Sequence, residues 1–403
     1  MRMTISKHQL NATTYGLILL AVTLPLVSIA VSQIFLALSI LSFVLEWCWA
    51  KRERIVFPPI CLPLVLFMFA TLAALIFSPE PGIGRAQINK FWLFVIIILV
   101  VNRFDGTRVV QAYHLLFLLG VLASMMVIAQ FIVTMQVNVE TRLTGFMGNW
   151  MTLSGELMLA SVAGAGYALF SKPRKVWLWI AGFGVMTVGL LLTLTRSVWI
   201  ATLVGVLLLL LMKHFRWRTL AAAGVAVTLL VAAAPGVIQK RIRSVWDPQD
   251  PSNYARLAIW KAGLRMVADR PWTGVGPQRI PRVFYEYHPK PEDRQRSGFY
   301  PVHMHNNLLQ FAAERGVPCA VLWLWLMGRL AWDHWRGFRM SKEGEIGRTV
   351  SAIGFAAIVV LFLAGLFEFN FADSEVLMIF LFLISAPYAL RASQQPCQPR
   401  PAA

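Results

Sequence analysis

Two histidines in a short polar stretch, His303-Met304-His305-Asn306-Asn307, are the strongest candidates for chemistry in this chain. The stretch Leu308-Leu309-Gln310-Phe311-Ala312-Ala313-Glu314-Arg315-Gly316-Val317 follows directly, where the long loop re-enters the membrane. Asn306 is a good N-cap, which would place His305 at the start of a helix. The free N–H groups and dipole of such an end favour an anion beside the histidine. The same field disfavours imidazolium and leaves His305 available as a neutral base near pH 7. Gly316, eleven residues on, is about three turns away and would share a face with His305. It would let a second helix or a lipid chain come close. The bland alternative makes His303 and His305 ordinary interfacial residues.

Arginines form a second group. Arg196 interrupts an apolar hairpin between Leu190–Thr195 and Val198–Leu211. Arginine near hydrocarbon costs at least about 2.5 kcal/mol unless it is paired, wetted or snorkelling to the interface. Arg256 and Arg265, nine residues apart, fall on roughly opposite faces of one helix, so one would meet substrate and the other lipid or protein. Arg256 shares its face with Trp260, expected to seat that helix against the membrane. Glu368, Asn370, Asp373 and Glu375 could orient arginines or a hydroxyl-bearing sugar, or be plain loop solvation. Asn149, Thr152, Ser154 and Glu156 could line a polar cavity or pair among themselves. Gly274-Val275-Gly276-Pro277 reads as a turn, not a nucleotide fingerprint. No phosphate loop, metal-spacing cluster or Ser-His-Asp order stands out.

These residues must be positioned by membrane helices. Hydrophobic residues make up 58% of the 403 and charged residues only 14%, too few to cover a soluble surface. Apolar runs long enough to cross a hydrocarbon core of roughly 30 Å recur throughout, and in lipid they must be helical. Spans are expected near 15–32, 34–49, 60–78, 91–102, 109–135, 151–170, 176–195, 197–213, 219–236, 307–332, 349–367 and 374–390. The expected class is therefore an all-α, polytopic membrane protein of about twelve transmembrane helices. The first span reads as an anchor, not a cleavable signal. Cys48, Cys61, Cys319 and Cys397 imply no disulfide framework.

The net charge of +18 would suggest nucleic acid in a soluble protein, but its distribution argues against that partner. Connections on one side carry 19 Lys and Arg, and the short ones opposite carry 4. The positive-inside rule then places both termini in the cytoplasm. The stretch 237–306 lies on the outer side as a long helical loop, which separates helices one to nine (1–236) from helices ten to twelve and the tail (307–403). Residues 237–317 hold 13 Lys/Arg against 7 Asp/Glu. Such a surplus suits a lipid surface or an anionic substrate.

Taken in order, the motifs resemble a known family. His305-Asn306, nine residues, then Gly316-Val317 looks like the histidine motif of the superfamily of O-antigen ligases, O-antigen polymerases and protein O-oligosaccharyltransferases. Thr195-Arg196-Ser197, and Arg256 with Trp260 leading to Pro271-Trp272-Thr273-Gly274-Val275-Gly276, are similar to its other signatures. The resemblance implies a metal-independent, cofactor-free inverting glycosyltransferase of a fold related to the GT-C class. It implies a bacterial inner-membrane location with a periplasmic site. The donor would be polysaccharide on undecaprenyl pyrophosphate, and the acceptor a sugar hydroxyl of lipid A core. His305 would be the base. Arg196, with Arg256 or Arg265, would hold the pyrophosphate beside His303 and Asn306. Val317-Pro318-Cys319 after the glycine weakens the protein-glycosylating reading, and the polymerases share the histidine motif less regularly, so the resemblance favours a ligase. A lipid-linked glycan flippase is the competing class, but would need charges deep in several spans.

Overall fold

A computed structural model describes residues 7–49, 54–135, 142–213, 236–247, 249–288 and 302–394. Among these residues the regular structure is entirely helical. Helices α1 (Lys7–Thr23) and α2 (Ile29–Trp49) are separated by a 3-10 turn at Leu24–Leu26. The break falls at Pro25, earlier than expected, because proline has no N–H for a helical ladder. Next come α3 (Cys61–Ile76), α4 (Pro81–Ile88) and α5 (Val95–Arg103). The fourth span is longer than expected, since α4 and α5 join through the turn Phe91–Phe94 into one apolar run, Pro81–Arg103. Helices α6 (Gly106–Thr134), α7 (Trp150–Ser171), α8 (Val176–Leu192) and α9 (Arg196–Met212) follow the expected order. The ninth span expected at 219–236 lies outside the described residues, except Gly236, which opens the short helix α10 (Gly236–Arg243).

The long loop contributes α11 (Pro251–Asp269) and α12 (Ile280–Tyr287). The tenth span is two helices, α13 (Asn307–Arg315) and α14 (Val317–Met340), and runs eight residues past its expected end. The last two are α15 (Ile346–Ala364) and α16 (Ser374–Gln394). Among the described residues seven helical runs are long and apolar enough to cross a membrane, and α3, α8 and α9 are shorter apolar helices. This is a polytopic helical membrane protein.

α15 is central, packed against α7, α9, α14 and α16. By contrast, α2 exposes Ile34, Leu38, Leu41 and Leu45, a four-three-four spacing that marks one helix face. Each such side chain left in water would cost about 1.5–3 kcal/mol, so lipid is the natural complement of that face.

The loop has a core of its own, with Ile259, Ala262 and Met266 of α11 against Val275, Phe284, Met304 and Ala313. A backbone crossing locks it to the bundle. Val275 N–H donates to Ala313 O at 2.8 Å, Gly276 N–H to Glu314 O at 3.0 Å and Val317 N–H to Pro271 O at 2.7 Å. Gly274 (φ +66°) and Gly316 (φ +86°) meet the opposite backbone so closely that an added Cβ would collide with it. Gly316 therefore does not continue the face of His305. It breaks the helix, and its neighbour is the Trp272–Thr273 backbone, not lipid. The Gly274 turn and the Gly316-Val317 pair are two sides of one crossing.

Candidate active site

The start of α13 is tied to the α15–α16 connection. Asn306 is the N-cap, its Oδ1 accepting from Leu309 N–H at 2.9 Å while its Nδ2 donates to Leu366 O at 3.0 Å. Asn307 N–H donates to Gly365 O at 2.7 Å, and its Nδ2 to Asn370 Oδ1 at 2.8 Å. These bonds bring His305 to Glu368, with Nδ1 at 3.1 Å from Oε2. The other carboxylate oxygen accepts from Arg256 Nη2 at 2.9 Å. His305 itself has φ +49°, a left-handed conformation that costs a non-glycine residue roughly 1–2 kcal/mol. Strain of this kind gathers at functional sites.

The charges around Glu368 fix the roles of these atoms. Burial would raise its carboxyl, but the hydrogen bond and charge of His305, with Arg256 and His303, more than offset that and hold it below the usual range. An ionised Glu368 can only accept, so Nδ1–H of His305 donates to it, and Nε2 is the nitrogen left to exchange a proton. His303 lies 4.2 Å from His305 between ring centroids, and its Nδ1 accepts the His305 backbone N–H at 3.2 Å. Burial, with the neighbouring His305, pushes the His303 imidazole down to about 4, so it is neutral near pH 7.

Arginines surround this pair. Arg196 is buried: Nη1 donates to Ser244 O and Oγ at 2.6 and 2.8 Å, and Nη2 to Asp250 at 3.3 Å and Asn253 at 2.8 Å. It pins the start of α11, whose N-cap is Asp250. Arg241 reaches the other Asp250 oxygen at 3.5 Å. Burial chiefly, with Arg196 and Arg142 adding to it, pushes the Arg241 guanidinium down to about 10. Arg142 stacks over Trp150 at 5.0 Å. Burial lowers it as well, within the combined field of Glu368, Arg256, Arg196 and Asp250. Four guanidiniums thus face two carboxylates, Asp250 and Glu368, a surplus suited to an anion. Arg256 Nε is buried with no acceptor among the described residues, so one donor is unfilled.

Of the residues expected at the site, Arg196, Arg256, His303, His305 and Asn306 come together. Arg265 does not; it is exposed and its Nη1 donates to Tyr287 O at 2.9 Å. Trp260 ties α11 to the segment before α13 through Nε1–H to Met304 O at 3.0 Å. Sequence reasoning left the role of Glu368 open and missed Arg142, in a short connection, and Arg241, on α10 of the long loop, neither of which carries a motif.

A cavity of about 430 Å³ adjoins the pair, walled by His303 and Glu368 and by Gln87, Lys90, Asn149 and Asp373 among others. Burial, followed by Glu375, pushes the Asp373 carboxyl up to about 7. Glu156, on α7, is fully buried, and neither carboxylate oxygen has a partner among the described residues. His303, His305 and Glu368 could also hold a metal ion, since one ligand atom from each lies within 4.8 Å of the others. Two imidazoles and a carboxylate are a zinc-type donor set. Arg256 already occupies that carboxylate and would oppose a cation there.

A multi-pass helical membrane protein with a histidine–carboxylate pair inside an arginine cluster is the class this geometry defines. Residues 181–324, about a third of the chain, match the family model described as O-antigen ligase, so that segment is similar to the O-antigen ligase superfamily. The matched segment carries Arg196, Arg256, His305 and Gly316 but not Arg142 or Glu368. The similarity supports a glycosyltransferase-like activity at a membrane. No curated protein matches the chain.

Proposed function

We propose that the protein is a ligase that moves O-antigen polysaccharide from undecaprenyl pyrophosphate to a sugar hydroxyl of lipid A core. It works at the periplasmic face of the bacterial inner membrane, with both termini in the cytoplasm. The observation that carries this reading is the His305–Glu368 pair within the arginine cluster. The acceptor oxygen attacks the anomeric carbon from the face opposite the pyrophosphate. His305 Nε2 takes the hydroxyl proton, and the bond from the anomeric carbon to the phosphate oxygen breaks with its electron pair leaving on that oxygen. The anomeric configuration inverts.

Each residue then has a role. Glu368 holds the His305 ring and balances the imidazolium that forms. Arg256 meets the departing charge, while Arg196 holds α11 in place and adds its charge to the field. His303 and Asn306 shape the mouth of the site. No metal is required in this mechanism, because guanidiniums do the charge stabilisation.

Reconstitution tests it. Purified protein receives the pyrophosphate-linked polysaccharide together with lipid A core, a second polymer chain or a pilin-like protein, each offered alone. Transfer to lipid A core that survives EDTA is the expected result, and His305→Ala should lower it by about 10²–10⁴-fold with the protein still folded. Transfer to another polymer or to protein would make it a polymerase or an oligosaccharyltransferase. Loss under EDTA would move the mechanism to the His303–His305–Glu368 metal arrangement.

A further inference from the structure

The bundle end farthest from His305 holds a second cluster of arginines. α14 spans 24 residues, so its far end lies about 36 Å from Gly316. There a cavity of about 810 Å³ opens between the ends of α14, α15 and α16, with Arg329, Arg336 and Arg391 in its wall. Its acids are largely occupied. Asp333 accepts from Arg329 Nε at 3.0 Å and from the Tyr388 hydroxyl at 2.8 Å. Glu345 accepts the Lys342 backbone N–H at 3.0 Å. Arg391 donates to the carbonyl of Asp333 at 2.9 Å and lies over the Tyr388 ring at 5.6 Å, with no carboxylate partner among the described residues. Arg336 is exposed and makes no ion pair or hydrogen bond among the described residues. Gly337 leaves room for the Arg391 guanidinium and the Ser351 hydroxyl, both of which an added Cβ would strike.

We propose that this cavity binds the phosphodiester headgroup of an anionic membrane lipid. Guanidinium forks match phosphate oxygens, and basic pockets between helix ends are a recurrent place for such headgroups. The rim supports a lipid in preference to free phosphate. Met340, which lines the cavity, is 71% exposed, and Trp332, two turns back along α14, is 60% exposed, giving acyl chains apolar surface beside the charges. This binding is independent of the reaction proposed for the other end.

The test is native mass spectrometry of the purified full-length protein in detergent, offered phosphatidylglycerol, phosphatidylcholine or inorganic phosphate. Phosphatidylglycerol should be retained and the other two should not. Arg336→Gln should weaken retention about fivefold, and Arg336→Gln with Arg391→Gln about 30-fold, at about 1 kcal/mol per arginine. Arg339→Gln, a charge on the same helix outside the cavity, should change it less than about twofold. Arg391 also supports Asp333, so the Arg336 variant alone guards against misreading a folding defect. Equal losses for the Arg336 and Arg339 variants, equal retention of phosphatidylcholine, or capture of inorganic phosphate in place of lipid would each overturn the proposal.

Discussion

The two ends of the bundle both gather arginine, yet they hold it differently. Beside His305 the guanidiniums of Arg196 and Arg241 are buried and that of Arg256 largely so, each aimed by a named acceptor. At the far end Arg336 is exposed and unaimed, and Arg329 is 43% exposed. The difference teaches what each end can do. Stabilising a leaving group needs donors fixed before the charge appears. Attracting a headgroup needs only a positive field in the right place.

Substitutions that keep charge but lose shape should separate the ends most sharply. Arg256→Lys cannot bridge Glu368 and Ser252 together, so transfer should fall about a hundredfold, the loss of one aimed, charge-assisted bond. Arg336→Lys should leave lipid retention within about threefold. If Arg256→Lys keeps full transfer activity, or Arg336→Lys abolishes lipid retention, the contrast between the ends is wrong.

Glu368→Gln should have a smaller effect, about tenfold on kcat, with KM little altered, because the ring of His305 loses a partner while the substrate contacts stay. Glu368→Asp should restore part of the rate. A large rise in KM with kcat unchanged would instead make Glu368 a substrate contact.

The smallest effect probes how dry the site end is. Asp373 holds its proton up to about 7 in the fold, against about 4 unfolded. The folded state therefore binds more protons across that interval, and its stability falls as pH rises through it. Asp373→Asn removes this loss. In detergent its melting temperature should exceed that of the wild type at pH 8, and the gap should close by pH 4. A constant gap at both values would show that Asp373 is not desolvated.

Much of the architecture was legible because lipid leaves the chain so few options. An apolar run of span length must close its own hydrogen bonds, so helices could be placed from hydropathy alone. Local chemistry was legible too: Asn306 caps as its side chain predicts, and the opposite-face spacing of Arg256 and Arg265 sends only one to the site. The sequence could not say which one, since that depends on where Trp260 seats α11.

Long-range pairing had to come from the fold. Glu368 stands 63 residues from His305 and 112 from Arg256, and nothing in that spacing declares that one carboxylate serves both. Arg142 lies in a connection without a motif. Gly316 was expected to extend a helix face, but the Pro271–Gly276 strand of backbone crosses there and breaks it. Sequence alone determined that the chain spans a membrane as helices and which residue types could do acid–base and anion chemistry, because solvation and side-chain chemistry act locally. The tertiary structure decided which of them meet, because contacts between distant segments depend on how whole helices and loops pack.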